Sequence, residues 1–275
     1  MRVAVVGHVE WVEFARVDHV PVPGEIVHAV ETWEEPAGGG AVAAVQLARL
    51  AGECLFLTAL GDDELGRRAA RELAELGVRV EAVWRAELQR RAFVHLDAAA
   101  ERTITVIGKR MGPHGDDALP WSELANADAV YFTAGDPAAV RAARGAGQLV
   151  ATARAMEALV AARVELDVLV RSAKDPGEQY AAGELEPPPR FVAQTDGALG
   201  GSLVAADGTT TSWAAAPLPG PTVSAYGAGD SFAGGLTFGL GQGLSAAEAV
   251  ELGARCGAAC LTGRGPYDAQ LRGFK

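Results

Sequence analysis

Asp230 ends a run of small residues, Gly227-Ala228-Gly229, and is followed by Ser231-Phe232-Ala233-Gly234-Gly235. Consecutive small residues at a loop-to-helix junction let several backbone N–H groups point to one place, and the positive end of the helix dipole adds to them. Such a junction is an anion hole. A carboxylate beside it repels a bound phosphate, so its presence suggests chemistry rather than binding alone. The task open to Asp230 is to take a proton from a hydroxyl while the amides of Gly227, Ala228 and Gly229 hold a transferring phosphoryl group. By itself the same string also serves as a glycine-rich turn whose aspartate caps a helix. It is not a Walker loop, because no Gly-Lys-Ser/Thr follows.

The elements that must position this junction can be read from periodicity. One helix is expected over about 230–240 and another over about 246–262, where Ser245 and Glu248 stand at capping-box spacing. Upstream, 3–6 reads as a buried strand ending in a glycine, and 54–60 as a second, closed by Gly61-Asp62-Asp63. Helical runs cover 41–50, after Gly38-Gly39-Gly40, and 67–76, stopping at Gly77. Short apolar strands at 129–133, 149–152, 168–170 and 191–194 alternate with helical or irregular stretches. This is the pattern of βαβ units and a parallel sheet covered on both faces, an α/β fold. Two β-rich segments, about 9–36 and 84–107, interrupt the alternation. Periodicity alone allows them to form a small sheet over the edge of the main domain or extra antiparallel strands on the main sheet.

Composition narrows the function classes. The chain has 275 residues, enough for one large domain, and 49% of them are hydrophobic. A net charge of -11 disfavours a nucleic-acid or anionic-membrane partner, since both need a basic face. The N-terminal apolar stretch is too short for a signal peptide, and no run of about 18 apolar residues suggests a membrane span. Three cysteines make no disulfide framework, and Cys256 and Cys260, at i,i+4, read as buried helix residues rather than a metal pair. A reducing, cytoplasmic location is expected.

Gly227-Ala228-Gly229-Asp230 followed by Ser-Phe and small residues resembles the C-terminal signature of the ribokinase-like (PfkB) carbohydrate kinase family. Other segments agree in order. The run 38–50 is similar to the family's Gly-Gly helix, and Gly61-Asp62-Asp63-Glu64-Leu65-Gly66 and Gly77-Val78 match further elements. Glu101-Arg102-Thr103 resembles its Gly-Glu-Arg-Thr hairpin, and residues 195–200 its Thr-x-Gly-x-x-Gly turn. The resemblance spans nearly the whole chain. It implies a Rossmann-like three-layer αβα ribokinase-like domain over 1–275 with a small β-sheet lid built from 9–36 and 84–107. It also implies ATP, Mg²⁺, a small-molecule hydroxyl substrate and a homodimer through the lid. By the same carry-over Asp230 is the catalytic base, and Gly227, Ala228 and Gly229 form the anion hole. Thr195, Gly197 and Gly200 lie against the nucleotide, and Asp175 and Glu178, in Asp175-Pro176-Gly177-Glu178, replace the family's Mg²⁺-associated Asn-x-x-Glu.

The departures fall where the family reads its acceptor. Gly7-His8-Val9-Glu10-Trp11-Val12 stands in place of a Gly-x-x-Asn/Asp-x-Asp pattern, and Val42 stands at the usual sugar-binding asparagine. The acceptor is then expected to be smaller or more apolar than ribose, or to be read by Glu10, His8, Trp11 and the backbone at Gly38, Gly39 and Gly40. Ser224 occupies the position of an aspartate that helps place a monovalent cation, so potassium activation is not carried over. A second reading is a catalytically degenerate family member that binds a small ligand or nucleotide in a regulatory role, against which the retained Asp230 argues. A dinucleotide-dependent oxidoreductase is disfavoured, because no Gly-x-Gly-x-x-Gly follows the first strand.

Overall fold

A computed structural model describes residues 1–273. Its elements run β1 (Val3–His8), β2 (Glu10–Arg16), β3 (Glu31–Ala37), α1 (Gly39–Ala51), β4 (Cys54–Gly61), α2 (Glu64–Glu75), β5 (Val78–Arg85), β6 (Arg91–Leu96) and β7 (Arg102–Ile107) in the first half. The second half adds β8 (Ala129–Phe132), α3 (Pro137–Ala143), β9 (Gln148–Thr152), α4 (Met156–Ala162), β10 (Val168–Ser172), β11 (Phe191–Thr195), β12 (Gly201–Ala205), β13 (Thr210–Trp213), α5 (Ala228–Gly241) and α6 (Ala246–Cys260).

Nine strands form the main sheet in the order β13-β12-β11-β10-β9-β8-β1-β4-β5. From β11 to β5 every pairing is parallel. Strand β1 is buried along its whole length, as an interior strand covered on both faces must be. Its alternate residues feed two separate cores. Val3 and Val5 pack with α1, α2, α5 and α6, whereas Ala4 and Val6 pack with α3 and α4. That gives the three layers the sequence implies. Because β1 lies between β4 and β8, the direction of winding reverses there, and the carboxyl ends of β1 and β8 open onto a crevice.

The two β-rich segments resolve into a separate four-stranded sheet, β3-β2-β6-β7. Its boundaries are narrower than the sequence suggests, since residues 84 and 85 still pair with β4 in the main sheet. Pro36 is tolerated because β3 is an edge strand. At the other edge β7 is exposed at every residue. The β6–β7 register sets Arg102, Ile104 and Val106 opposite Leu96, Val94 and Ala92, which are buried towards the main domain. These three residues of β7 therefore share the domain-facing side of the sheet while overhanging open space.

The hairpin β12–β13 extends the main sheet antiparallel and is absent from the sequence reading. Strand β13, Thr-Thr-Ser-Trp, is mostly exposed and lacks an apolar alternation that would announce it. All three cysteines are buried and free, as expected. Among the described residues no helix is long and apolar enough to cross a membrane. The C-terminal segment straps the first and fifth helices together: Gln270 Nε2 donates to the Val42 carbonyl (3.0 Å) and to Ser231 Oγ (2.9 Å).

Candidate active site

Helix α5 starts at Ala228 behind Gly227, whose φ of 83° is left-handed. Its first turn closes with Ser231 N donating to the Gly227 carbonyl at 2.9 Å. The amides of Ala228, Gly229 and Asp230 therefore have no acceptor within the helix. Only glycine suits position 227, because a Cβ there would lie 2.8 Å from Pro266 Cβ and 3.2 Å from Val42 Cγ1. Around Gly229 the reverse holds: a Cβ would meet nothing within 4 Å, so there is open space beside this first turn. The approach to this turn is fixed from several sides. Buried Tyr226 accepts from Gly38 N at 3.3 Å and meets Phe14 edge-on at 5.0 Å. Ala225 N donates to the Ala100 carbonyl at the β6–β7 hairpin tip (3.0 Å), and Arg16 Nη1 donates to the Val223 carbonyl (3.2 Å).

Asp230 is half-buried in the first turn of α5 and turned towards the Gly-Gly helix, its Oδ1 lying 2.9 Å from where a Gly39 Cβ would be. His8 Cε1 is 3.6 Å from the same point, so Asp230, Gly39 and His8 share one floor. Burial pushes the Asp230 carboxyl up to about 6, helped by the negative charges of Glu178 and Glu10 and opposed by Arg102 and Arg154. A carboxylate so shifted is a better proton acceptor than a solvated one. His8 is held neutral: burial, and then the charges of Arg110, Arg90 and Arg154, drive it well below the ordinary histidine value.

The other residues singled out from sequence divide. Gly39 is partly exposed at the floor, but Gly38 is buried with its amide given to Tyr226, and Gly40 is pressed against β1, where a Cβ would sit 2.6 Å from the His8 carbonyl oxygen. Glu10 is at the site, with Oε1 accepting from Arg90 Nε at 2.6 Å and standing 3.9 Å from His8 Nε2. Trp11 is not a reader. It is fully buried, donates to Glu34 Oε2 at 3.1 Å and carries Arg68 on its ring, because alternation along β2 turns it to the face opposite Glu10. Val42 supports Gly227 from below.

Thr195, Gly197 and Gly200 form a tight turn at the carboxyl end of β11, in which Asp196 N donates to the Gly200 carbonyl (2.8 Å). Beside it, Ala173 N donates to the Thr195 carbonyl (2.9 Å), leading directly into Asp175 and Glu178. Both carboxylates pair with Arg154, Glu178 at 3.2 Å, and Glu178 Oε2 also accepts from Ser172 N at 2.7 Å. Burial raises the Glu178 carboxyl, with Asp175 adding to the rise. An oxygen-rich cluster of this kind suits a hard divalent cation, which relieves the same repulsion that Arg154 now offsets.

Sequence reasoning passes over Arg90, Arg110 and Arg154. Each comes from a different loop, and each bears on His8. The available signal was the pair of basic dipeptides, Arg90-Arg91 and Lys109-Arg110, flanking the small-sheet strands of an acidic chain.

Exposed helix-terminal amides beside a raised carboxylate, at the winding switch of a parallel sheet, define a site for moving an anionic group onto or off a hydroxyl. The family profile of the pfkB family carbohydrate kinases matches residues 1–146 and 139–271. The chain belongs to that family. It is 31% identical over 144 residues to an ATP-dependent ribose-1-phosphate kinase of Halopiger xanaduensis, a match covering 50% of this chain and 47% of that relative. The chain thus aligns with about half the length of its curated relative. The fold matches a ribokinase from Thermotoga maritima, with a TM-score of 0.78, 21% identity and coverage of 99% of this chain and 96% of that one. It also matches an Arabidopsis thaliana ribokinase complexed with ribose and ATP, with a TM-score of 0.76, 19% identity and coverage of 98% and 96%.

Proposed function

We propose that this protein is an ATP-dependent phosphotransferase acting on a hydroxyl of a sugar, nucleoside or similar small alcohol. The observation that carries the reading is the raised Asp230 carboxylate in the first turn of α5, beside the open space at Gly229 and next to Gly39 and a neutral His8. Asp230 accepts the hydroxyl proton as the phosphoryl group transfers, and the amides at Gly227, Ala228 and Gly229 stabilise the charge on its oxygens. Thr195, Gly197 and Gly200 border the nucleotide. Asp175 and Glu178 would hold Mg²⁺, which neutralises phosphate charge when bound. The relatives' names support ATP as donor and ribose or ribose 1-phosphate as first acceptors to try. The four-stranded sheet acts as a lid, and its exposed edge β7 is the surface through which two copies pair. Buried free thiols suit a cytoplasmic location.

The direct test is incubation with Mg-ATP and a panel of sugars, sugar phosphates, nucleosides and polyols, following ADP release and new phosphorylated masses. A phosphorylated product is expected. ATP binding with no product across the panel would move the protein to a regulatory role, and failure to bind ATP would remove the reading altogether.

Two further outcomes are expected. Because only ionised Asp230 accepts a proton, and its carboxyl titrates at about 6, the rate should fall about tenfold per pH unit below that value and level off above it. A rate unchanged down to pH 4.5 would remove Asp230 as base. Glu178→Gln should raise the Mg²⁺ concentration for half-maximal rate by about tenfold, with melting temperature little altered. An unchanged Mg²⁺ titration would place the ion elsewhere.

A further inference from the structure

The turn Gly61-Asp62-Asp63-Glu64-Leu65-Gly66, which closes β4 and opens α2, takes no part in the transfer step, yet it is tightly built. Asp63 caps α2, its Oδ1 accepting from Gly66 N at 2.9 Å, and its Oδ2 accepts from Gln89 N at 2.9 Å. A Cβ on Gly61 would strike the Gln89 backbone, and one on Gly66 the Gly61 carbonyl oxygen, so close backbone approach demands both glycines. Gln89 is 3% exposed, and both ends of its amide are bonded. Oε1 accepts from Gly61 N (3.0 Å), and Nε2 donates to the carbonyls of Val9 (2.9 Å) and Arg90 (3.3 Å). Every one of these partners is backbone. The pair Asp63 and Gln89 holds the path of the chain.

The bonds fall where the chain leaves one sheet for the other. Only Val9 separates β1 from β2, and residues 86–90 lead from β5 into β6. The β2–β6 ladder begins at Trp11 and Arg91, so Val9-Glu10 and Gln89-Arg90 run side by side ahead of it. They are joined there by Gln89 Nε2 to Val9 and by Trp11 N to the Arg90 carbonyl (2.8 Å). On its β6 side Glu10 thus stands before the ladder, and Gln89 supplies the tie. What this places is a pair of side chains at the crevice: Arg90 Nε donates to Glu10 Oε1 at 2.6 Å, and the same oxygen stands 3.9 Å from His8 Nε2.

Resting on the kinase reading above, we propose that Asp63 and Gln89 are positioning residues. Acting from the main sheet through Val9 and the Arg90 backbone, they fix where the Glu10 and Arg90 side chains stand at the acceptor end of the crevice. Such support matters because misplacing a substrate-holding group by about 1 Å can cost about 100-fold. The nucleotide end, built on β11 and α5, lies on other elements and should not feel the change.

Asp63→Ser tests this with the turn intact, since serine also caps helices but has one oxygen for two donors. The acceptors are ribose and ribose 1-phosphate, with Mg-ATP. The acceptor KM should rise by about 10- to 100-fold, while kcat and the KM for ATP stay within about threefold. Gln89→Met should do the same, and the double variant should be little worse than the worse single one, because both act through one joint. Ser245→Ala, which opens the capping box of α6, should lower the melting temperature and leave all three constants alone. Spin labels on Thr105→Cys in β7 and Glu251→Cys in α6, both exposed, read the joint without any ligand. Their distance distribution should be wider in Asp63→Ser than in the parent chain. If the wild type transfers to neither acceptor, the kinase reading fails for these acceptors, and the spin-label distances alone decide the proposal. Unchanged distances, an unchanged acceptor KM, an equal loss of ATP affinity, or the same rise in Ser245→Ala would each overturn it.

Discussion

Asp230→Asn is expected to lower the transfer rate by about 10³-fold and, at neutral pH, to raise the melting temperature. The two effects have one cause. The carboxyl of Asp230 moves from an ordinary value of 3.8 to about 6 on folding, so the folded chain holds that proton more tightly than the unfolded one. Below pH 3.8 the group is protonated in both states, and the substitution changes little. As pH rises towards about 6 the unfolded chain ionises first, and the folded state loses stability. Above that value the full cost is present, and asparagine removes it. Two units correspond to about 3 kcal/mol; solvent reaching the half-buried group reduces this to about 1–2 kcal/mol. For a chain of this size the gain is about 2–6 °C. Thermal scans at pH 4 and pH 7.5 check it: equal shifts at both, or a loss at pH 7.5, would mean that Asp230 is held for structure.

The second large effect separates two glycines of the same turn. Gly227→Ala combines a left-handed φ of 83° with contacts of 2.8 Å to Pro266 and 3.2 Å to Val42. The backbone cost is about 1–2 kcal/mol and the overpacking about 1–3 kcal/mol. The first turn of α5 should shift, with a melting temperature lower by about 4–15 °C and a rate at least about 10²-fold down. Gly229→Ala adds its methyl where nothing lies within 4 Å, so stability should hold to within about 0.5 kcal/mol. Its rate should nevertheless fall by about 10²-fold, because that open space is where the phosphoryl group is read to sit. A fully active Gly229→Ala would move the anion hole away from this turn.

The contrast between these residues explains what could be read from the chain before its fold. The turn from Gly227 to Asp230 was legible because its pattern is local: small residues, a helix start and an acid lie within a few positions. The parallel sheet was legible because fully buried strands such as β1 are continuous apolar runs. Arg110 was not legible, since its meaning comes from the loop that carries it over β8 and from the charges around it, Glu10 being a hundred residues away in sequence. Asp175 and Glu178 were singled out through the family resemblance, but their pairing with Arg154 had to be seen in three dimensions. Trp11 was within reach of a simpler rule, as strict alternation along β2 cannot place both Glu10 and Trp11 on the crevice. Of the glycine triplet, spacing could not say which member remained accessible once α1 packed on β1.

The hydrogen bond from Ala225 to Ala100, and that from Arg16 to Val223, join the small sheet to the loop that leads into Gly227. Whatever steadies that sheet also steadies the loop and the amides beyond it. On the proposed function the acceptor works from the side of the small sheet and the nucleotide from the side of α5. Each ligand then spares the other part of the ordering that its own binding requires. Linkage makes the benefit mutual: if acceptor tightens nucleotide, nucleotide must tighten acceptor by the same factor. Cutting the link at the hairpin tip, with that from Arg16 left in place, should lower that factor towards one.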